Sequence, residues 1–135
     1  MQGLKAYKMK KLGILVVYLF GSEVYGTTTV ISDIDVGLVL KNPKNLEDTR
    51  PLYNAAYSEL SKVFKPTFLR GLDIVFLQNA PITLQYNAIT FGRIIYEEDP
   101  IKRADYEENV VNQYLDFKPV IEYFDSVASK RYDKG

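Results

Sequence analysis

The chain contains neither cysteine nor histidine among its 135 residues. Their absence excludes disulfides, thiol nucleophiles, zinc sites built on sulfur or imidazole, and every triad with a histidine base. A metal, if bound, must be held by oxygen, which favours Mg²⁺, Mn²⁺ or Ca²⁺. Net charge is missing too. Seventeen Lys and Arg balance seventeen Asp and Glu, so no overall field draws the chain onto DNA or RNA, and direct nucleic-acid binding is not expected. No apolar run approaches the ~18 residues of a membrane span. Lys5, Lys8, Lys10 and Lys11 ahead of the apolar run 12–20 have the outline of a secretory signal. That run is short, however, and leads straight into the motif described below, which cleavage would remove. A cytoplasmic protein without membrane attachment is expected, its N-terminal lysines forming the solvated face of a short helix.

What is present is ordinary for a globular chain, with 47% apolar residues and a length suited to one domain over residues 1–135. No internal repeat, low-complexity tract or linker interrupts it. The apolar pattern predicts a short helix at ~2–11, a strand at ~13–20, a short helix ending near Gly26, and a loop over residues 27–29. A strand follows at ~34–40, then a helix from ~48 to 64 in which Pro51 must lie in the first turn. Leu52, Ala56, Leu60 and Val63 or Phe64 recur at helical spacing there, and Lys65 with Pro66 stops the pattern. A third strand is expected at ~72–77. Asn79, Ala80 and Pro81 read as the cap and first turn of a helix ending near Gly92, and a fourth strand is expected at ~93–96. From about residue 100 the tail reads as helix, with Tyr106, Val110, Tyr114, Phe117, Ile121 and Phe124 in helical register and Pro119 kinking or splitting it. Strands alternating with helices imply an α/β domain whose sheet packs against helices.

The chemistry concentrates in residues 21–35, GSEVYGTTTVISDID. A strand that ends in Gly21 and Ser22 and turns into a helix directs backbone N–H groups and a hydroxyl at one point, which suits phosphate oxygens. Asp33 and Asp35, at i and i+2 on the next strand, project from one face and can ligate one cation or a close pair. Taken singly these features are commonplace: Asp-x-Asp occurs in turns and at strand ends, and Gly-Ser is a routine turn. Two additions change the balance. The pair opens an apolar strand, where unneutralised like charges are costly, and a third carboxylate, Asp73, opens another in LDIVFL. If the strands are neighbours, three carboxylates converge, and a divalent cation makes that tolerable.

The pattern of Gly21, Ser22, Gly26, Ser32, Asp33 and Asp35 resembles the signature of the DNA polymerase beta-like nucleotidyltransferase superfamily. Within it, the small size and the segments AITFGRIIYEEDP and NQYLDFKP resemble the minimal nucleotidyltransferases (MNT, the MntA antitoxins), usually paired with a HEPN-domain toxin, HepT. Tyr25 stands where many relatives carry a basic residue. The resemblance implies a palm-like mixed sheet packed against helices, with a helical C-terminal tail. It further implies that Asp33, Asp35 and Asp73 are catalytic and hold two Mg²⁺ ions, with Gly21, Ser22 and Ser32 at the nucleotide. The implied substrate is ATP, and the implied acceptor of AMP is a tyrosine hydroxyl on a HepT-like toxin. Two alternatives remain open at this point: an antitoxin that occludes its partner without catalysis, and nucleotidyl transfer to a small molecule.

Two further features stand apart. The eleven tyrosines read as amphipathic core-edge residues rather than a stacking platform. Glu97, Glu98, Asp99, Asp105, Glu107 and Glu108 read as a solvated helix start, or alternatively as a face for a basic partner.

Overall fold

A computed structural model describes residues 4–21, 33–67 and 70–133. The helix expected to end near Gly26 and the loop 27–29 fall outside the described residues. Helix α1 (Ala6–Lys11) leads through a turn into strand β1 (Ile14–Phe20), and β2 (Ile34–Leu40) follows. Helix α2 (Arg50–Phe64) then crosses to β3 (Leu72–Phe76), α3 (Ile82–Phe91) to β4 (Arg93–Glu97), and the long α4 (Pro100–Asp133) completes the chain. The strands lie in the order β3-β2-β1-β4. β1 pairs antiparallel with β2 and β4, whereas β2 and β3 run parallel. A parallel pair cannot be closed by a tight turn, and α2 is the crossover it needs.

Both faces of this mixed sheet are covered. On one side Met9 of α1 and Ala56 and Leu60 of α2 pack onto Val17, Leu19, Ile34, Val36, Leu38, Leu72, Ile74 and Phe76. On the other, Val16, Tyr18, Val39 and Leu77 meet Ala88 of α3 and Tyr106 of α4. Two-sided burial explains why β1 and β2 are continuous apolar runs without alternation. Gly37 permits a close approach on the second face, since a Cβ there would lie 2.8 Å from Leu77 Cδ1.

Helix boundaries follow local chemistry. Pro51 sits in the first turn of α2 as expected, and Asp48 folds back on it by accepting from Arg50 N–H at 3.2 Å. Lys65 ends that helix in the left-handed conformation, at φ 50°. The start of α3 differs from expectation: Pro81, not Asn79, is the flanking residue. Asn79 closes a 3-10 turn instead, and its amide donates to the Leu46 carbonyl at 3.2 Å. Asp99 caps α4 by accepting from Ile101 N–H at 2.9 Å.

The acidic cluster around residue 100 is largely consumed inside the molecule. Tyr18 donates its hydroxyl to Glu107 at 2.8 Å, Arg103 donates to Glu107 and Glu97 at 2.7 Å each, and Lys41 reaches Glu98 at 3.0 Å. The ion pairs are partly exposed and individually modest. Tyr18 is buried, so losing its acceptor would leave a hydroxyl unsatisfied at a cost of about 1–3 kcal/mol, and that requirement dominates. Tyr86 stacks on Tyr114 with ring centroids 3.8 Å apart, and Tyr106 donates to Gln85 at 2.9 Å, which secures α4 to α3.

Beyond Tyr114 the tail departs from expectation. Of the kink or split expected at Pro119, the split does not occur: α4 is one helix of 34 residues through that proline, about 51 Å long at 1.5 Å per residue. The domain surface ends before the helix does. Phe117 and Phe124, expected in the packed stripe, stay 49% and 65% exposed.

Gly37→Ala should destabilise the fold by about 1–3 kcal/mol through overpacking against Leu77. Leu77→Ala should cost about 2–5 kcal/mol through the cavity it leaves. The double variant should cost clearly less than the sum, because each change accommodates the other. Urea unfolding of the four proteins measures this, and strict additivity would rule out the contact.

Candidate active site

The site forms where β1 ends and where β2 and β3 begin. Phe20 is the register partner of Asp35 in the antiparallel pair, so the turn after β1 delivers its backbone beside that carboxylate. Glycine is required there twice over. Gly21 has φ 82°, in the left-handed region that a side chain disfavours, and a Cβ on it would run into the Asp35 carboxylate.

Asp35 and Asp73 are direct register partners across the parallel pair. Their side chains therefore leave one face of strands about 4.8 Å apart. Asp33, two residues before Asp35, shares that side. Its Oδ1 accepts from Gly71 N–H at 3.1 Å, while the Gly71 carbonyl accepts from Ile34 N–H at 2.9 Å. A Cβ at Gly71 would lie 3.1 Å from Asp33 Oδ1. Gly71 was not among the sequence candidates; its signal is a glycine immediately ahead of the strand that carries Asp73.

The electrostatics follow from this placement. Asp35 is half-buried, whereas Asp33 and Asp73 are exposed. Burial first, then the Asp73 and Asp33 charges, hold the Asp35 carboxyl above the usual carboxylate range. Among the described residues, the acidic side chains do not by themselves close into a ready set of metal ligands; it is the backbone that brings the three to one edge. An all-carboxylate donor set fits a hard cation such as Mg²⁺. Such an ion would remove the repulsion that raises the Asp35 pKa. Ser22 and Ser32, expected at the nucleotide, lie outside the described residues.

An open pocket of about 370 Å³ extends from this edge, lined by Phe20, Gly21, Asp35, Leu84, Asn87 and Phe91. The last three come from α3, a helix to which the sequence assigned no site residue. Their spacing of three and four residues along one helix was visible, but nothing in the sequence said that this stripe faces Asp35.

A family model described as Polymerase beta, Nucleotidyltransferase matches residues 2–101. Several solved structures are similar in fold. One is a toxin-antitoxin complex with AMP-PNP, 21% identical with a TM-score of 0.67, covering 93% of this chain and 99% of that one. An MntA-HepT toxin-antitoxin complex is 19% identical with a TM-score of 0.61, covering 94% and 99%. The complex of a tri-AMPylated Shewanella oneidensis HEPN toxin with its MNT antitoxin is 20% identical with a TM-score of 0.62, covering 95% and 99%. At these identities the likeness speaks for the fold. No curated protein matches the chain in sequence.

The raised pKa of Asp35 fixes the sign of one effect. Between the unfolded value and the raised folded value, the native state holds the proton more tightly. Stability from this group is therefore lost as pH rises from the unfolded value through the raised folded one, and the penalty falls on the ionised form. Asp35→Asn removes it. In EDTA at pH 7 the variant should unfold at an equal or higher urea concentration than the wild type. In millimolar Mg²⁺ the wild type should gain more than the variant. A loss of stability in EDTA would contradict the like-charge account.

Proposed function

The chain belongs to the polymerase beta-like nucleotidyltransferase family, and from that premise we propose that it is a Mg²⁺-dependent nucleotidyltransferase. Its proposed reaction transfers AMP from ATP to a tyrosine hydroxyl of a HEPN-domain toxin, which makes it an antitoxin that acts by modification. One observation carries the reading: Asp35 and Asp73 oppose each other in register, with Asp33 on the same side and Gly21 against Asp35. A protein that only occluded its partner would have no chemical reason to hold three like charges together at the edge of its core.

In this reading Asp33, Asp35 and Asp73 hold Mg²⁺, two ions by the family resemblance, which when bound neutralises phosphate charge and lowers the pKa of the attacking hydroxyl. Gly21 has no side chain between its backbone and the Asp35 carboxylate, leaving room for a phosphate beside its N–H. Ser22 and Ser32 are assigned to the same cradle by the resemblance. Asp73, the more exposed of the register pair, faces the acceptor and takes its proton. The hydroxyl oxygen bonds to the α-phosphorus, the bond to the bridging oxygen breaks in line, and pyrophosphate leaves. No histidine base is needed, which agrees with a chain that has none.

The partner comes by analogy with the similar structures, in which MNT antitoxins accompany HEPN toxins and one such toxin carries AMP groups. Transfer to a small molecule is less well supported, because such enzymes commonly add a domain to hold the acceptor.

The test pairs the chain with a HEPN-domain protein, taken from the adjacent gene where that gene encodes one. Incubation with ATP and Mg²⁺ should raise the partner's intact mass by one or more AMP units. The Asp33→Asn/Asp35→Asn variant should fold, add no mass and fail to protect cells. Full protection by that variant at matched expression, with no added mass, would establish occlusion instead.

A further inference from the structure

We propose that Phe91 and Asn87 of α3 form a nucleobase subsite that selects adenine. The proposal deepens the nucleotidyl-transfer reading and rests on it. The pocket beside Asp35 has two unlike walls. One is the strand-end edge with Gly21 and Asp35, where phosphates and cation belong. The other is a single stripe of α3, since Leu84, Asn87 and Phe91 follow at three- and four-residue steps.

Two features of that stripe are poorly explained by packing alone. Phe91 is 54% exposed although it stands at the end of a helix whose Ala88 is fully buried. Asn87 is exposed as well, and its amide is not engaged by any neighbour among the described residues. An aromatic ring open at a pocket mouth offers a stacking surface to any base. An amide one helical turn away adds an edge that can be read.

The amide chemistry favours adenine over guanine. Asn can accept from the adenine N6 amino group while donating to N7, satisfying both ends at once. On that same edge guanine presents acceptors at both O6 and N7, so there the amide carbonyl meets the wrong partner. Guanine is read by Arg or Lys on that edge, and among the described residues neither lines this pocket. Pyrimidines lack the second ring and stack over less area.

The chain has no tryptophan, so Phe91→Trp places a lone fluorescent reporter at the pocket mouth. With Mg²⁺ present, ATP should quench it and inorganic tripolyphosphate should not. By calorimetry on the wild type, ATP should bind about tenfold more tightly than GTP. Phe91→Ala should weaken ATP about tenfold while leaving tripolyphosphate affinity unchanged. Asn87→Ala should bring the ATP and GTP affinities together. Thermal melts of the three variants confirm that these exposed positions leave the fold intact. If ATP and tripolyphosphate bind the wild type equally well and Phe91→Ala changes neither, the base subsite is overturned while the transferase reading stands; the stripe then serves the acceptor. If neither ligand binds at all, both readings fall.

Discussion

The parallel pairing of β2 with β3 governs this protein. It sets Asp35 directly against Asp73 at the mouth of two buried strands. Two carboxylates so placed repel each other, and Asp33 on the same side adds to the repulsion. The arrangement persists because the register is set elsewhere, by residues further along the same strands. Val36, Leu38 and Leu40 of β2 and Ile74 and Phe76 of β3 bury on the α1–α2 face, and a slip of one residue would turn all of them outward. Hydrophobic burial of several side chains outweighs repulsion at one partly solvated edge. The core thereby holds charges in positions they would not choose, and in the proposed reading a cation bound there would relieve that repulsion.

The opposite face solves a different problem. The carboxylates emerge on the side covered by α3 and α4, so these helices must protect the core without closing the site. Leu77 and Ala88 seal the sheet near its middle, against Gly37 and Val39. Toward Gly21 the α3 stripe stands off, and the pocket opens. The position of α3 is held by α4 through Tyr106 with Gln85 and through the Tyr86–Tyr114 stack. α4 in turn is tied to the sheet by Glu107, which accepts from Tyr18 of β1, and by Arg103, which donates to Glu97 of β4. Pocket width thus depends on a polar network some distance from the carboxylates.

Much of the architecture was legible in the chain because its signals are local. The strand expected at ~34–40 matches β2 in both bounds, and Pro51 placed the start of α2 within two residues. The Asn79 cap, and the split that was one of the two outcomes expected at Pro119, failed for a shared reason. Asn79 found a better partner in the Leu46 carbonyl, which lies 33 residues away. Pro119 lies where both sides of the helix are already exposed, and the helix continues through it. Local propensity sets a preference of a few kcal/mol at most, and partners from elsewhere in the chain decide whether it prevails.

The candidate site divides along the same line. From the sequence alone came the identity of the three carboxylates, the shared face of Asp33 and Asp35, and the need for oxygen ligands in a chain without cysteine or histidine. Those conclusions follow from residue type and from the two-residue period of a strand, which needs no knowledge of neighbours. That Asp73 stands opposite Asp35, that Gly21 and Gly71 press against the carboxylates, and that Asn87 and Phe91 face them from α3 were decided only by tertiary structure. Each is a contact between segments distant in sequence, and no periodicity within one segment encodes which other segment will pack beside it.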